Sequence, residues 1–306
     1  MIETVDLTRR FGEITAVDSL TLTIKDGKVF GFLGPNGAGK TTTIRMLCCL
    51  INATSGTAYI NGMDTREERE RLKIRGMIGL LPEVPGLYES LSAYRNLEFY
   101  AKLYGVPEGE RQKRIRDLLT TLGVWDRRED AVAKFSKGMR QKIAIARALV
   151  HEPEFLFLDE PTSGLDPQAA MTVRNYLLDL KREGHTIFLN THNLDDAERL
   201  CDTIGVLKSK LLDIGSPQDL ARKFYGRTTV LHLAKVTDPM LKAVSSLPFT
   251  RDARVVGDKI LVDLDDPEHE NPQIVSTLVR MGAEVEFVNE LKHGLEDVYL
   301  KLIEGS

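Results

Sequence analysis

The chain has 306 residues, of which 42% are hydrophobic and 28% charged, and its 41 basic and 45 acidic residues give a net charge of −4. This composition is typical of a globular protein long enough for two domains, and it excludes disordered, collagen-like and disulfide-framework chains. The charge provides no excess for wrapping nucleic acid, so no nucleic-acid partner is expected. The three cysteines form no CxxC pair, which favours a reducing compartment and argues against a zinc site.

The sequence offers no candidate for a membrane anchor. The N-terminus lacks the apolar stretch of a signal peptide, and polar residues interrupt the longest uncharged run, residues 46–63. We therefore expect a soluble, intracellular protein that reaches a membrane only through a partner.

The first 220 residues have the pattern of an α/β domain. Leu20–Ile24 alternates apolar and polar residues, which predicts a half-buried strand, and Asp26-Gly27 predicts that this strand enters a hairpin. Residues 91–150 have a largely helical pattern and interrupt the α/β core. Three runs are apolar at nearly every position, as in parallel strands buried on both faces: Val29–Leu33, Phe155–Leu158 and Thr186–Asn190.

A second unit begins near residue 226. Its order of predicted elements, βαββαβ followed by a last helix, favours a small ferredoxin-like domain. It contains 14 acidic and 9 basic residues, a balance that argues against docking on an anionic lipid surface. The predicted elements are a strand at Thr228–Ala234, a helix at Pro239–Leu247, a hairpin at Arg254–Leu264, a helix at Pro272–Met281, a strand at Glu284–Val288 and a helix at Leu295–Ile303.

A phosphate-binding loop follows the first buried strand. Residues 34–41 match the pattern G-x-x-x-x-G-K-[ST] and precede a predicted helix at Thr42–Leu50. Glycines let successive backbone N–H groups point at one anion, and the helix N-terminus adds its positive end. Lys40 is expected to reach the β- and γ-phosphates, and Thr41 to bind Mg²⁺. The candidate loop residues are Gly34, Pro35, Asn36, Gly37, Ala38, Gly39, Lys40, Thr41 and Thr42.

A second motif supplies carboxylates. The apolar strand Phe155–Leu158 ends in Asp159 and Glu160. Ligands bind at the carboxyl ends of strands in open α/β sheets, so Asp159 is expected to hold Mg²⁺ through water. Glu160 is expected to orient or deprotonate an attacking water.

Further motifs resemble those of ATP-binding-cassette (ABC) proteins. Residues 135–141, FSKGMRQ, are similar to the family's signature sequence LSGGQ, with Ser136 and Gly138 kept. Ser163–Asp166 resembles its D-loop, and Thr191-His192 its H-loop. Phe11 stands where the family has an aromatic residue that stacks on adenine. The ordered motifs extend from residue 1 to about 220.

This resemblance implies a fold and a function. The fold is an α/β P-loop cassette at 1–220, with a RecA-like core, an antiparallel β subdomain and a helical subdomain at about 84–150. An accessory α+β domain at 226–306 follows. The function is ATP hydrolysis that powers export through a separate permease chain, because the SKGMRQ variant, the LPE segment and the C-terminal GLEDVYL resemble the export branch. The protein would then lie at the inner face of the membrane, held by the permease.

The family also implies residue roles. Glu160 and His192 are the expected catalytic residues, and Asp166 belongs to the D-loop. Ser136, Lys137, Gly138 and Met139 would cap ATP bound to a second copy in a head-to-tail dimer, and the aromatic-rich segment 83–104 would receive the permease. One position departs from the family: Glu83 stands where a Gln is usual. A carboxylate there can still ligate Mg²⁺, so the expected metal set is Thr41, Asp159 and Glu83.

Several alternatives remain open at this stage. Phe11 could be edge-strand packing, Ser136 an ordinary helix cap, and Glu83 or His192 a surface residue. Among functions, a ribosome-acting cassette ATPase, a chromosome-maintenance ATPase and a non-catalytic binding module compete with transport. The chain has a single phosphate loop, no sustained heptad between Lys40 and Asp159, and both Lys40 and Glu160, features that favour a transport ATPase.

Overall fold

The computed structural model describes residues 1–304, which divide into two compact units, Met1–Ser216 and Pro217–Glu304. The nucleotide-site motifs named above all lie in the first unit, and the GLEDVYL segment lies in the second. The boundary that the sequence suggested at residue 220 falls inside a helix, Pro217–Tyr225, that groups with the second unit.

The first unit alternates strands and helices. Its strands are β1 (Ile2–Phe11), β2 (Ile14–Ile24), β3 (Val29–Leu33), β4 (Ser55–Ile60), β5 (Met63–Asp64), β6 (Ile78–Leu81), β7 (Phe155–Asp159), β8 (Thr186–Asn190), β9 (Thr203–Lys208) and β10 (Lys210–Gly215). Its helices are α1 (Lys40–Leu47), α2 (Glu68–Gly76), α3 (Ala93–Leu103), α4 (Glu108–Thr121), α5 (Lys137–Leu149), α6 (Pro167–Arg182) and α7 (Leu194–Leu200). Short 3-10 helices, Trp125–Arg127 and Val132–Lys134, lie between α4 and α5.

One sheet of this unit is antiparallel, with the strand order β2-β1-β4-β5. The hairpin predicted at Asp26-Gly27 is wrong: β2 pairs with β1 through the turn between Phe11 and Ile14, whereas β3 belongs to the other sheet. The two patterns explain the difference. The alternating strand β2 needs one solvated face, and the continuously apolar β3 needs cover on both.

The other sheet has the order β10-β9-β3-β8-β7-β6, in which β10 is antiparallel to its neighbour and the other strands are parallel. Every residue of β3, β7 and β8 is buried, which confirms the prediction from their apolar runs. Phe32 packs edge-on against Phe30 and Phe188 with ring centroids 5.1 Å apart. These three strands therefore form the rigid centre of the unit.

The helices deviate from the sequence prediction only at their ends. The helix after the phosphate loop spans Lys40–Leu47 rather than Thr42–Leu50, because Cys49 adopts a φ of 55° that a helix cannot accommodate. The helical insert predicted at 91–150 is present as α3, α4 and α5. Ser92 and Ser136 cap α3 and α5, each accepting a hydrogen bond from a backbone N–H in the first turn.

The second unit is a four-stranded antiparallel sheet with helices. Its elements are α8 (Pro217–Tyr225), β11 (Arg227–Leu233), α9 (Asp238–Ser245), β12 (Asp252–Val256), β13 (Lys259–Leu264), α10 (Pro267–Arg280), β14 (Val285–Glu290) and α11 (Leu295–Glu304). The order β12-β13-β11-β14 places β13 between β11 and β12, which α9 connects. This is a split βαβ arrangement. Helix α10 begins five residues before the predicted Pro272, because Pro267 is itself suited to the first helical turn.

None of the helices in the part of the chain described here is long and apolar enough to cross a membrane.

Candidate functional site

Three neighbouring strands of the parallel sheet deliver the candidate residues to one edge. The phosphate loop follows β3. Asp159 ends β7 and Glu160 follows it, while Asn190 ends β8 and His192 lies two residues after it. Since β8 lies between β3 and β7, the three carboxyl ends adjoin. Strand pairing thus brings together residues that are more than 100 positions apart in the sequence, such as Lys40 and Asp159.

A cleft of about 530 Å³ opens at this edge. It gathers most of the residues that the sequence singled out, and its lining includes Phe11, Asn36, Gly37, Ala38, Gly39, Lys40, Thr41, Thr42, Glu83, Asp159, Glu160 and His192. It also includes Ala16 and Asn190, which sequence reasoning missed, and Ser163, the first residue of the segment that resembles the D-loop. Of these, Asn190 had a usable signal, since it is a polar residue at the carboxyl end of a buried strand.

Close backbone contacts explain two of the three glycines of the loop. A Cβ on Gly34 would lie 2.1 Å from the carbonyl oxygen of Leu207, and a Cβ on Gly39 would lie 2.2 Å from that of Ala16. Gly39 also adopts a φ of 95°, which L-residues avoid. The loop therefore curls tightly against neighbouring main chain, and the turn leads directly into α1.

Lys40 is held close to the loop that precedes it. Its Nζ donates hydrogen bonds to the carbonyl oxygens of Gly34 at 2.6 Å and Pro35 at 3.1 Å, and the residue is 7% exposed. Burial lowers the pKa of Lys40, and the nearby carboxylates of Glu160 and Asp159 oppose that effect. Its only described hydrogen-bond partners are neutral carbonyls, so the ammonium is suited to an incoming anion.

Asp159, at the end of β7, is 3% exposed and forms the centre of a set of oxygen ligands. It accepts a hydrogen bond from the Asn190 side-chain amide. Burial raises its pKa, the Glu83 charge adds to that effect, and the nearby Thr41 hydroxyl and the Asn190 amide oppose it. The side-chain oxygen of Asn190 is buried and has no partner among residues 1–304. Hydroxyl and carboxylate oxygens around a desolvated charge fit a hard cation such as Mg²⁺.

Glu160 and His192 form the other polar pair of the cleft. Nδ1 of His192 lies 2.8 Å from Oε2 of Glu160. Burial raises the pKa of Glu160, while the hydrogen bond and charge of His192 lower it. Glu160 adopts a φ of 54°, an uncommon left-handed conformation for a non-glycine residue at the turn after β7. A carboxylate with a raised pKa, aimed into a cleft and held by an imidazole, can accept a proton from water.

Two predicted residues lie at the margins of the cleft. Phe11, the last residue of β1, is 47% exposed and contributes to the wall. Glu83 is exposed in the segment after β6, and its charge is near enough to raise the pKa of Asp159. The structure therefore places Glu83 in the lining of the same cleft as Asp159, without a described hydrogen bond between the two.

The signature residues lie outside the lining of this cleft. Ser136 does cap α5, since its Oγ accepts from the backbone N–H of Met139 at 3.2 Å. Gly138 is buried, and a Cβ there would lie 2.8 Å from Cβ of Ala169 in α6. Lys137 extends over the D-loop, where a Cβ on Gly164 would lie 2.1 Å from its Nζ. The signature thus packs on the D-loop of its own chain.

The D-loop and signature helix are also tied to the strand end that bears the carboxylates. Asp166 caps α6 by accepting from the backbone N–H of Ala169 at 2.8 Å. The buried Gln141 donates from α5 to the carbonyl oxygen of Pro161 at 2.9 Å, one residue after Glu160. A displacement of α5 would therefore also shift the main chain next to Glu160.

A cleft of similar size, about 510 Å³, lies between α4 and α6 and contains none of these residues. Burial raises the pKa of Tyr176 in its wall to about 12, so that hydroxyl stays protonated at neutral pH. Its lining lacks the phosphate loop and both carboxylates of β7, and we assign it no chemistry.

The aromatic segment before and within α3 both packs and remains exposed. Tyr88 meets Phe99 edge-on at 5.2 Å between ring centroids, and Phe99 meets Tyr100 at 5.3 Å. Tyr88 and Phe99 are nevertheless 47% and 42% exposed. The segment therefore packs internally and also presents an exposed aromatic surface.

Comparison with known proteins agrees with the motifs. Residues 17–163 match the family model described as ABC transporter. The chain is 34% identical over 281 residues to the linearmycin resistance ATP-binding protein LnrL of Bacillus subtilis, covering 91% of this chain and 89% of LnrL. It is 43% identical to the bacitracin transport ATP-binding protein BcrA of Bacillus licheniformis over 215 residues, which cover 70% and 69% of the two chains.

A solved structure is similar as well. The ATP-binding cassette MJ0796, in a dimeric post-hydrolysis state bound to ADP and Pi, matches with a TM-score of 0.65 and 28% identity. The match covers 71% of this chain and 98% of that one.

Proposed function

Since the chain belongs to the ATP-binding subunits of ABC transporters, we propose that it hydrolyses Mg²⁺-ATP to drive export of a substrate through a separate integral-membrane permease. The observation that carries the chemistry is the convergence of Lys40, Asp159, Glu160 and His192 in one cleft. The names of LnrL and BcrA, which refer to antibiotic resistance and transport, support the export direction.

The phosphates of ATP would lie on the loop between β3 and α1. The first-turn N–H groups of α1 point toward the loop, and the Lys40 ammonium would exchange its carbonyl partners for phosphate oxygens. Thr41, Asp159 and Glu83 would hold Mg²⁺, which neutralises the phosphate charge and so favours attack on the γ-phosphorus. The Asn190 amide keeps Asp159 in place for that task.

Glu160 would orient the attacking water and accept its proton. His192 holds the Glu160 carboxylate at 2.8 Å, which fixes its direction and favours its ionised form. With the Gln variant of Glu160, we expect ATP to bind while hydrolysis falls by roughly two orders of magnitude or more.

A second copy would complete the site. Ser136 and the backbone N–H of Gly138 stand at the N-terminus of α5, a position suited to an anion, yet they lie outside the lining of their own chain's cleft. In a head-to-tail dimer they would cap the ATP bound to the partner. ATP then holds the two subunits together, and its hydrolysis releases them.

The permease would bind at the exposed aromatic segment formed by Tyr88, Phe99 and their neighbours, at the inner face of the cell membrane. Because α3 and α5 belong to the same helical insert, a permease that moves α3 would also move the signature. The second unit would act as an accessory domain that keeps two cassettes close to each other.

The test is functional reconstitution. The chain is purified from membranes with its integral partner, the pair is placed in vesicles, and the ATPase rate and ATP-dependent substrate movement are measured. We expect both to require Lys40 and Glu160, so Lys40→Ala and Glu160→Gln abolish them. A chain that hydrolyses ATP but copurifies with no integral membrane protein would contradict the transport assignment.

A further inference from the structure

Arg9 and Phe11 occupy alternate positions of β1, so their side chains lie on the same face of the strand. The guanidinium carbon of Arg9 lies 4.4 Å from the centroid of the Phe11 ring. Phe11 lines the cleft that contains the phosphate loop, whereas Arg9 is absent from that lining. One face of the ring is therefore covered by a cation, and another part of the ring faces the cleft.

The same guanidinium of Arg9 is also hydrogen-bonded to a neighbouring segment. Its Nη1 donates to the carbonyl oxygen of Asn52 at 2.8 Å, and its Nε is buried with no partner among the described residues. Asn52 lies in the segment between α1 and β4, and its side-chain oxygen also accepts from Arg71. Arg9 thus connects the ring of Phe11 with the segment that follows the phosphate-loop helix.

We propose that Arg9 is a positioning residue for the nucleotide base: it holds the Phe11 ring in the orientation that stacks on the purine. This inference rests on the proposed function, because it requires ATP in the cleft. A guanidinium over an aromatic face is attracted by the ring quadrupole, which restricts ring rotation. A ring that is ordered before the ligand arrives loses less entropy on binding, and base stacking becomes tighter.

Arg9 also links the strand that carries Phe11 to the segment after the phosphate-loop helix. Phe11 is placed by β1, and the phosphates by α1. The hydrogen bond from Arg9 to Asn52 joins β1 to the residues directly after α1. Arg9 therefore acts on base binding through Phe11, and it does not line the cleft where phosphate would bind.

The experiment measures dissociation constants by calorimetry for two probes, ATP and inorganic tripolyphosphate, which lacks the base. Arg9→Met keeps side-chain length and removes the planar cation. Arg10→Met is the matched control, since Arg10 is exposed on the opposite face of the same strand. We expect Arg9→Met to weaken ATP binding about two- to fivefold, the range of an exposed cation–π contact. Tripolyphosphate affinity should stay unchanged, and Arg10→Met should alter neither.

A double-mutant cycle separates positioning from general stability. In a Phe11→Ala background, Arg9→Met should have no further effect on ATP affinity, because the ring through which it acts is gone. Arg9→Lys should restore part of the affinity. Unchanged ATP affinity in Arg9→Met, an equal loss for both probes, or a full effect in the Phe11→Ala background would each overturn the inference. A wild-type chain that fails to bind ATP at all would instead contradict the proposed function.

Discussion

His192 Nδ1 lies 2.8 Å from Glu160 Oε2, which places a 63% exposed imidazole on a carboxylate side chain that is only 14% exposed. The imidazole opposes the effect of burial, which alone would raise the pKa of Glu160 further. The pair therefore sets the pH range in which Glu160 is ionised.

Replacing His192 with alanine should move the acid limb of the ATPase profile to higher pH. Glu160 must be deprotonated to accept a proton from water, and its pKa is raised by burial and lowered by His192. Without the imidazole the pKa rises, so the rate begins to fall at a higher pH as the solution is acidified. Steady-state ATPase rates between about pH 5 and 8, the range in which folded proteins tend to be most stable, test this. His185→Ala, a substitution away from the cleft, should leave the limb in place.

Asn190 should control the metal affinity of Asp159. Asn190→Leu preserves volume but removes the donor to Asp159, so the pKa of Asp159 should rise and protons should compete better with the metal. With ATP present, Mn²⁺ binding followed by electron paramagnetic resonance should weaken by about tenfold, the scale of a hydrogen bond to a charged group. The loss should be larger at acidic pH. Asn190→Ser, which keeps a donor, should recover part of it, and equal affinity for all three proteins would refute the assignment.

Two loop glycines should differ in their tolerance of alanine. Gly37 has a φ of 82°, but a Cβ added there would meet open space, so Gly37→Ala should cost about 1–2 kcal/mol of stability through backbone strain. Gly34→Ala would push Cβ to within 2.1 Å of the Leu207 carbonyl oxygen and should cost about 3 kcal/mol. Urea unfolding followed by fluorescence of Trp125, the single tryptophan, reports on the first unit. The reverse ranking would show that the close approach is absent.

Truncation tests the second unit as a dimer contact. The chain should be truncated after Ser216, so that α8 is removed together with α11. The two helices are joined by hydrogen bonds from Tyr225 to the Asp297 carbonyl at 2.9 Å and from Lys301 to the Phe224 carbonyl at 2.8 Å. The truncated chain should still hydrolyse ATP, but its rate per molecule should fall steeply on dilution. If truncated and full-length chains respond identically to dilution, the second unit does not bring cassettes together.

The sequence predicted much of this fold because its patterns are physical. Strands β3, β7 and β8 are apolar at nearly every position and can only be central, and Ser136 marks the start of α5 as a cap. The turn at Asp26-Gly27 shows where the chain reverses but not which strands pair, so the hairpin was predicted wrongly. Pairing depends on burial in the whole molecule.

Parts of the site carried too little local signal to be predicted. Asn190 has only the general signal of a polar residue at a strand end, and it matters because strand order brings it beside Asp159. In the sequence, Arg9 is followed by Arg10, and such a pair of charges is typical of a solvent-exposed position. Its contact with Phe11 depends on the pleat of β1 and on Asn52, 43 residues away.

Trans-complementation tests the composite ATP site most directly. Ser136→Arg leaves its own phosphate loop intact but cannot cap a partner, and Lys40→Ala cannot hold ATP but keeps its signature. Each variant alone should be inactive in ATP hydrolysis. When the two are mixed, a heterodimer contains one complete site, so a substantial part of the rate should return with increasing concentration of either variant. If the mixture remains as inactive as its components while both are folded by circular dichroism, the head-to-tail account is contradicted.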